Sequence, residues 1–202
     1  YSLSLPDALP ICIEVDVHLV DGALLVAHDR SETEPGRTLE HLYLDPLAHW
    51  IDAHGGTVYG GSTSAGNGSP TEESPPGITL LVDVKSGAQA TYRRLHEVLR
   101  PHADILTVFA ADTLDRGPVT VIISGNRARS LMAEQPVRYA AIDGRPPDLT
   151  AEDPPPADLV PLVSAPWSYV SSWRGSGPMP AADRAQMREL VEKAHAQGRR
   201  IR

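Results

Sequence analysis

The sequence predicts a parallel α/β fold. Apolar, β-branched runs alternate along the chain with segments that repeat apolar residues at helical spacing, an order typical of parallel sheets covered by helices. The clearest strand lies in residues 78–87, ITLLVDVKSG, whose nearly continuous apolar run indicates burial on both faces. Its polar residues cluster at the carboxyl end, where barrel enzymes carry their active sites.

A second strand carries two carboxylates. In residues 13–29, IEVDVHLVDGALLVAHD, apolar residues first alternate with Glu14, Asp16 and His18, which predicts a strand. Glu14 and Asp16 then share one face, with Cα atoms roughly 7 Å apart. Neighbouring carboxylates repel each other unless a positive charge lies between them, and Mg²⁺ and Ca²⁺ prefer carboxylate ligands. The pair therefore predicts a divalent cation site.

The same stretch also predicts a hairpin that ends in a histidine. Asp21-Gly22 is a turn signal, and the apolar return that follows leads to His28-Asp29. An imidazole beside metal-binding carboxylates is the equipment of a metal-assisted acid–base hydrolase. The alternative interpretation is a solvated edge strand followed by a surface turn, because such short motifs are weak on their own.

Further elements follow from local patterns. Asp45-Pro46 predicts a helix start with Asp45 as the N-cap, and Gly55-Gly56 predicts its end. Ser86 and Gln89 resemble a capping box before an amphipathic helix. We expect the remaining strands at residues 105–109, 119–123, 138–143 and 159–165, and a helix that begins at Pro180.

Composition limits the class of protein. A chain of 202 residues can form one sizeable domain. Its net charge of −8 makes a nucleic-acid partner unexpected, and no apolar run approaches the ~20 residues of a transmembrane segment. The single cysteine excludes an internal disulfide and leaves the compartment open. We interpret the low-complexity residues 55–77 as a flexible insertion.

Together these stretches resemble a known superfamily. The unit at residues 13–29 with LLVDVK is similar to the glycerophosphodiester phosphodiesterases and related phospholipase-C-like phosphodiesterases. Residues 12–202 resemble most the branch typified by altered inheritance of mitochondria protein six. The stretches that carry the resemblance are IEVDVHLVDGALLVAHD, TLEHLYLDPL, LLVDVKSGAQATYRRLHEVLR, VTVIISGNR, RYAAIDGR, WRGSGPMP and KAHAQGRRIR.

The resemblance implies a TIM-type (β/α)8 barrel that hydrolyses phosphodiesters of glycerol or of phospholipid head groups. It implies a metal, Mg²⁺ or Ca²⁺, held by Glu14, Asp16 and Asp83. It makes His28 a general acid/base and Lys85 a stabiliser of phosphate charge. Asn126, at a strand end, and Trp173 are the further candidates for substrate binding. The alternative for Asn126 is that it only caps the following helix. The alternative for Lys85 is an ion pair with Asp83 and nothing more, without a role in catalysis.

One departure from the superfamily pattern concerns the ends of the sequence. We interpret residues 1–11 as a non-native leader and residues 12–202 as a partial barrel without its first and last strands. The superfamily has a second catalytic histidine near the end of the first strand, and residues 1–11 contain none. We therefore expect the 202-residue chain alone to be inactive or unstable.

Two other functions remain open at this point. A glycosidase would also use two carboxylates, but Glu14 and Asp16 lie on one strand face and do not flank a substrate bond. A non-catalytic barrel that binds a phosphorylated ligand or partner would keep the acidic residues without affinity for a metal. Metal titration would separate this binding protein from an enzyme.

Overall fold

The fold is described here from a computed structural model, which covers residues 12–59, 77–110 and 113–202. The predicted leader, residues 1–11, lies outside the described residues. The chain divides into two compact units, of which the first ends at Ala140 and the second is Ala141–Arg202. Each unit is described by itself.

The first unit is built on four strands in the order β2-β1-β3-β6. They are β1 (Cys12–Val20), β2 (Ala23–Val26), β3 (Ile78–Val84) and β6 (Val119–Gly125). The pairs β1–β3 and β3–β6 are parallel, whereas β1–β2 is an antiparallel hairpin. Strand β3 is buried along nearly its whole length, as its apolar run predicts.

The predicted hairpin is confirmed. Val20 pairs with Ala23 across the turn, and the two residues between them have positive φ angles, 48° at Asp21 and 82° at Gly22. Turns of this kind match the twist of the flanking strands, and Asp-Gly tolerates them because glycine has no Cβ and aspartate accepts the left-handed region. The turn therefore fixes which residues of β2 lie beside β1.

The first helix begins earlier than expected. A π-helical turn, Glu40–Leu44, runs directly into α1 (Asp45–Ala53). Asp45 itself is helical, with φ −62° and ψ −47°, so the predicted N-cap at Asp45 is wrong. The predicted end is confirmed, since Gly55 and Gly56 have positive φ angles. Leu39, Leu42 and Tyr43 already lie at helical spacing, but Asp45-Pro46 is the more conspicuous local signal for a helix start.

The start of the predicted flexible insertion is packed. Thr57 and Val58 are buried, and the Trp50 indole donates a hydrogen bond of 2.8 Å to the carbonyl of Val58. The prediction of flexibility is therefore wrong for these residues, because one tryptophan fixes a segment whose composition looks disordered. Residues 60–76 lie outside the described part of the chain.

Helix α2 (Ala88–Leu99) follows β3. Tyr92, Leu95 and Leu99 are buried, as the helical spacing predicts. The capping box is wrong: the N-cap is Gly87, and the Ser86 hydroxyl instead accepts the backbone N–H of Leu19 at 2.8 Å. The local pattern cannot show that a distant strand competes for the same oxygen.

A small antiparallel sheet also belongs to the first unit. Its strands are β4 (Val108–Ala110), β5 (Thr113–Asp115) and β7 (Val137–Arg138), with β4 in the middle. The strand predicted at residues 105–109 thus forms, but mainly outside the parallel sheet. A short helix, α3 (Arg129–Ala133), precedes β7.

The second unit contains three short parallel strands. They are β8 (Ala141–Gly144), β9 (Leu162–Val163) and β10 (Arg200–Ile201), with β9 pairing to both others. The strands predicted at residues 138–143 and 159–165 are therefore displaced and shortened, the second beside Pro161. The helices are α4 (Pro147–Thr150), α5 (Trp167–Val170) and α6 (Ala181–Ala196).

The predicted α/β class is confirmed, whereas closure of the strands into a barrel stays a prediction. Parallel strands separated by helices occur in both units. No helix in the described part of the chain combines the length and apolar character needed to cross a membrane.

Candidate metal and catalytic site

Strand register brings the predicted metal ligands together. In the parallel pair β1–β3, Asp16 lies directly opposite Asp83, and Glu14 lies two residues earlier on the face of Asp16. Glu14, Asp16 and Asp83 each offer a carboxylate oxygen, and these oxygens all lie within 4.8 Å of one another. Three converging carboxylates form the oxygen-rich site that Mg²⁺ and Ca²⁺ favour.

Lys85 balances part of this negative charge. Its Nζ lies 2.7 Å from Asp83 Oδ2 and 3.3 Å from Asp16 Oδ1. The hydrogen bond to Asp83 raises the pKa of the Lys85 ammonium group, with further Coulombic attraction from the same carboxylate and from Asp16. Lys85 is thus a fixed cation between two carboxylates, and its role in stabilising phosphate charge stays a prediction.

The second oxygen of Asp83 supports the fit of a divalent cation. Asp83 Oδ1 is buried and makes no hydrogen bond within the described residues. A buried charged oxygen without a partner costs free energy, which a bound cation would offset. Gly125, with φ 64°, lies against this oxygen, and an added Cβ would overlap it. The glycine therefore leaves the space in which the Asp83 carboxylate lies.

His28 reaches the same carboxylates from the end of the hairpin. Its Nδ1 lies 2.7 Å from Asp16 Oδ2, and its side chain is 77% exposed. The hydrogen bond to Asp16 raises the pKa of the His28 imidazole, assisted by the charges of Asp16 and Asp29 and opposed by Lys85. An exposed imidazole that is oriented by a carboxylate can donate or accept a proton at its other nitrogen.

Two predicted substrate residues make other contacts. The Asn126 side chain donates to the carbonyl of Ser86 at 3.0 Å, and therefore links the ends of β6 and β3. Trp173 lies in the second unit, where its indole N–H is directed at the carbonyls of Ser176 and Gly177 and its ring lies 6.2 Å from that of Trp167. Their roles in substrate binding stay predictions.

The structure adds residues that sequence reasoning did not select. An open cleft contains Glu14, Asp16, His28, Asp83 and Lys85, and its remaining lining residues are Val15, Val26, Ala27, Arg37 and Tyr43. His18 is buried, and its Nε2 lies 3.2 Å from the carbonyl of His28, so it positions the catalytic candidate. The alternation that placed His18 beside Asp16 was the one available signal for it.

Comparison with models of known protein families finds a match to this chain. The family model of the AIM6-like phosphodiesterase domain matches residues 7–143, which is more than half of the 202 residues. The chain belongs to the AIM6-like phosphodiesterase family. All the predicted site residues except Trp173 lie within the matched region, and the branch expected from the sequence is confirmed.

A curated relative from the same branch also matches. The altered inheritance of mitochondria protein 6 homolog of Arthroderma benhamiae is 29% identical over 143 residues, which cover 69% of this chain and 46% of the relative. The chain thus spans about half the length of the curated relative it matches. No solved structure gives a significant match to the chain.

Proposed function

We propose that the protein is a metal-dependent phosphoric diester hydrolase that acts on glycerophosphodiesters or phospholipid head groups. One observation carries the proposal: three carboxylates, a lysine and a histidine line a single cleft within an AIM6-like phosphodiesterase domain. A glycosidase is disfavoured, because Asp16 and Asp83 are adjacent in register and do not face each other across a cleft.

Glu14, Asp16 and Asp83 would hold the cation, Mg²⁺ or Ca²⁺. The converging carboxylates and the unpartnered Oδ1 of Asp83 support this assignment. When bound, a divalent cation supplies Lewis-acid stabilisation of the negative charge that develops on a phosphoryl group.

Lys85 and His28 supply the groups that act beside the cation. Lys85 offers a compact positive charge, held by Asp16 and Asp83, that attracts phosphoryl oxygens. His28 is the general acid/base: Asp16 orients its Nδ1, and its side chain is 77% exposed, so its other nitrogen can exchange a proton with a substrate. His18 holds the backbone of His28 in place.

We further propose that the strands belong to a TIM-type barrel, in which Trp173 lines the substrate channel and Asn126 contributes to substrate binding. The parallel register of β1, β3 and β6 and the clustering of polar residues near the carboxyl ends of β3 and β6 support the barrel.

The proposal can be tested by the turnover of bis(4-nitrophenyl) phosphate with and without EDTA. The protein should be expressed from its full reading frame, together with the variants Glu14→Gln, Asp83→Asn and His28→Ala. We expect EDTA to abolish turnover, and each substitution to lower kcat/KM by about 100-fold or more. Asp104→Asn, which alters an exposed carboxylate outside the cleft, is the matched control.

A folded protein that neither turns over the diester nor binds Mg²⁺ would contradict the proposal. If such a protein still bound inorganic phosphate, the alternative of a non-catalytic barrel that binds a phosphorylated ligand or partner would replace it.

A further inference from the structure

The cleft has a second cationic residue, Arg37, beside the hairpin edge. Arg37 lines the cleft and is exposed. Its carbonyl accepts the backbone N–H of Val26 at 2.8 Å, and the next residue, Thr38, bridges antiparallel to Leu25. The backbone at residues 37–38 therefore extends the sheet by one position beyond β2, and this fixes the Arg37 backbone beside the hairpin.

The sheet order separates Arg37 from Lys85. From one side to the other it runs β3, β1, β2 and then residues 37–38. Neighbouring strands lie about 4.8 Å apart, so the backbone of Arg37 is roughly 10 Å from β1. Lys85 follows β3 on the far side. Lys85 thus lies among the carboxylates, between Asp16 and Asp83, whereas Arg37 comes from the sheet edge beyond β2.

The two cations also differ in their partners. Lys85 is held by Asp16 and Asp83, whereas the Arg37 guanidinium makes no ion pair or hydrogen bond to any residue that the structure describes. Glu40, a nearby acidic residue in sequence, pairs instead with Arg94 at 3.6 Å. With respect to the described residues, the five N–H donors of Arg37 are therefore available to an anionic ligand in the cleft.

Tyr43 forms part of the same wall. It lines the cleft from the π-helical turn Glu40–Leu44, and the fully buried Leu39 and Leu44 hold this turn against the core. Short π-helical segments occur frequently at functional sites. Here the turn directs a half-buried phenol ring into the cleft beside Arg37.

We propose that Arg37, with Tyr43 beside it, selects phosphodiesters whose alcohol carries a second anionic group, a phosphomonoester. This inference rests on the proposed function, because it places the scissile phosphoryl group at the three carboxylates. A guanidinium group binds phosphate oxygens in a bidentate fork, which favours a phosphomonoester over a neutral hydroxyl at this end of the cleft. Arg37 is thus a specificity residue.

A pair of chromogenic diesters tests the specificity. One is 4-nitrophenyl 2-hydroxyethyl phosphate, and the other carries a phosphomonoester in place of the free hydroxyl. We expect the wild-type protein to prefer the second substrate in kcat/KM through a lower KM. Arg37→Gln should reduce this preference by about 10- to 100-fold, and Arg37→Lys should restore part of it. Arg93→Gln, which alters an exposed arginine on α2, is the control and should keep the full preference.

A binding measurement separates this inference from the proposed function. Calorimetry in Mg²⁺ would compare 1,2-ethanediol bisphosphate with ethyl phosphate. We expect tighter binding of the bisphosphate and a loss of that difference in Arg37→Gln. If this pattern appears without turnover of any diester, the inference holds as a binding specificity and the hydrolase proposal fails.

Equal affinity for the two ligands in the wild-type protein would overturn the inference, even if diesters are hydrolysed. It would also be overturned if Arg37→Gln weakened both ligands by the same factor, because Arg37 would then contact the phosphate that both share.

Discussion

Two aspartate–cation pairs with the same spacing have different surroundings. Asp83 and Lys85 lie in the first unit, and Asp143 and Arg145 lie in the second; in each pair the cation follows the aspartate by two residues and lies 2.7 Å from its Oδ2. Asp143 is fully buried and its other oxygen accepts the hydroxyl of Ser164 at 2.7 Å. The other oxygen of Asp83 has no hydrogen bond in the described residues.

The difference separates a structural pair from a candidate functional one. Asp143 has a partner for each oxygen, so a further cation has little to gain there. Asp83 is opposite a second carboxylate, Asp16, and Lys85 contacts both, while His28 contacts Asp16 alone. Excess negative charge with an unsatisfied oxygen is unfavourable for folding alone, which is expected where a ligand supplies the missing charge. Asp-x-cation spacing by itself therefore does not identify a site.

The largest effect on stability should come from the Asp143–Arg145 pair. We call it the closed pair because both oxygens of its aspartate have partners. Asp143→Ala removes a buried carboxylate that accepts hydrogen bonds from Arg145 and Ser164, and we expect the free energy of unfolding to fall by about 2–4 kcal/mol. Asp83→Ala should lower it by less than about 1 kcal/mol, because Lys85 keeps Asp16 as a partner. Urea unfolding measures the loss of unfolding free energy in each variant. A greater loss in Asp83→Ala than in Asp143→Ala would contradict the assignment of Asp143 and Arg145 as the structural pair.

Cation binding should depend most on the Asp83–Lys85 pair. We call it the open pair because Asp83 Oδ1 makes no hydrogen bond in the described residues. Asp83→Asn removes the charge of one of three converging carboxylates, and we expect the affinity for Mg²⁺ to fall by about 100-fold. Calorimetric titration of the metal-free protein measures it. Ser164→Ala is the control in the closed pair. It removes a hydroxyl partner of Asp143 and should leave the affinity for Mg²⁺ unchanged. An equal loss of Mg²⁺ affinity in both variants would argue against a site at Asp83.

Gly125 leaves room for the Asp83 carboxylate of the open pair, because it has no Cβ. Gly125→Ala would place a Cβ against Asp83 Oδ1 and Val84 at a φ angle of 64°, and we expect it to destabilise the protein by about 1–3 kcal/mol and to weaken Mg²⁺ binding. Gly87→Ala is the matched control, because no atom lies within 4 Å of its added Cβ. Thermal unfolding with and without Mg²⁺ measures both effects; a neutral Gly125→Ala would show that the carboxylate can move.

The smallest effect concerns the proton on His28. In the metal-free protein we expect its pKa to lie above 6.5, because Asp16 accepts its N–H, and Asp16→Asn should lower it. A raised pKa stabilises the fold at low pH, and that contribution is lost as the pH rises through the folded-state pKa. An NMR titration of the imidazole measures the value. A pKa unaffected by Asp16→Asn would show that the hydrogen bond does not form in solution.

Local patterns were enough to predict the elements that carry the candidate site. The alternation in β1, the Asp-Gly turn and the apolar run of β3 each depend on neighbouring residues, and the structure contains all three. Elements whose partners are distant were predicted less well. The strand at residues 105–109 was expected in the parallel sheet, but β4 pairs with β5 and β7, since alternation does not specify which strand is the neighbour.

The sequence by itself determined the α/β class and the shared face of Glu14 and Asp16, because these follow from apolar periodicity and from the two-residue repeat of a strand. The family resemblance also came from the sequence alone, but it rests on whole stretches such as IEVDVHLVDGALLVAHD and LLVDVKSGAQATYRRLHEVLR. Only the tertiary structure decided that Asp16 lies opposite Asp83, that Ser86 binds Leu19 and that Arg37 faces the same cleft. Strand register and side-chain competition depend on residues far apart in the chain. The contacts that decide them form only when the sheet assembles.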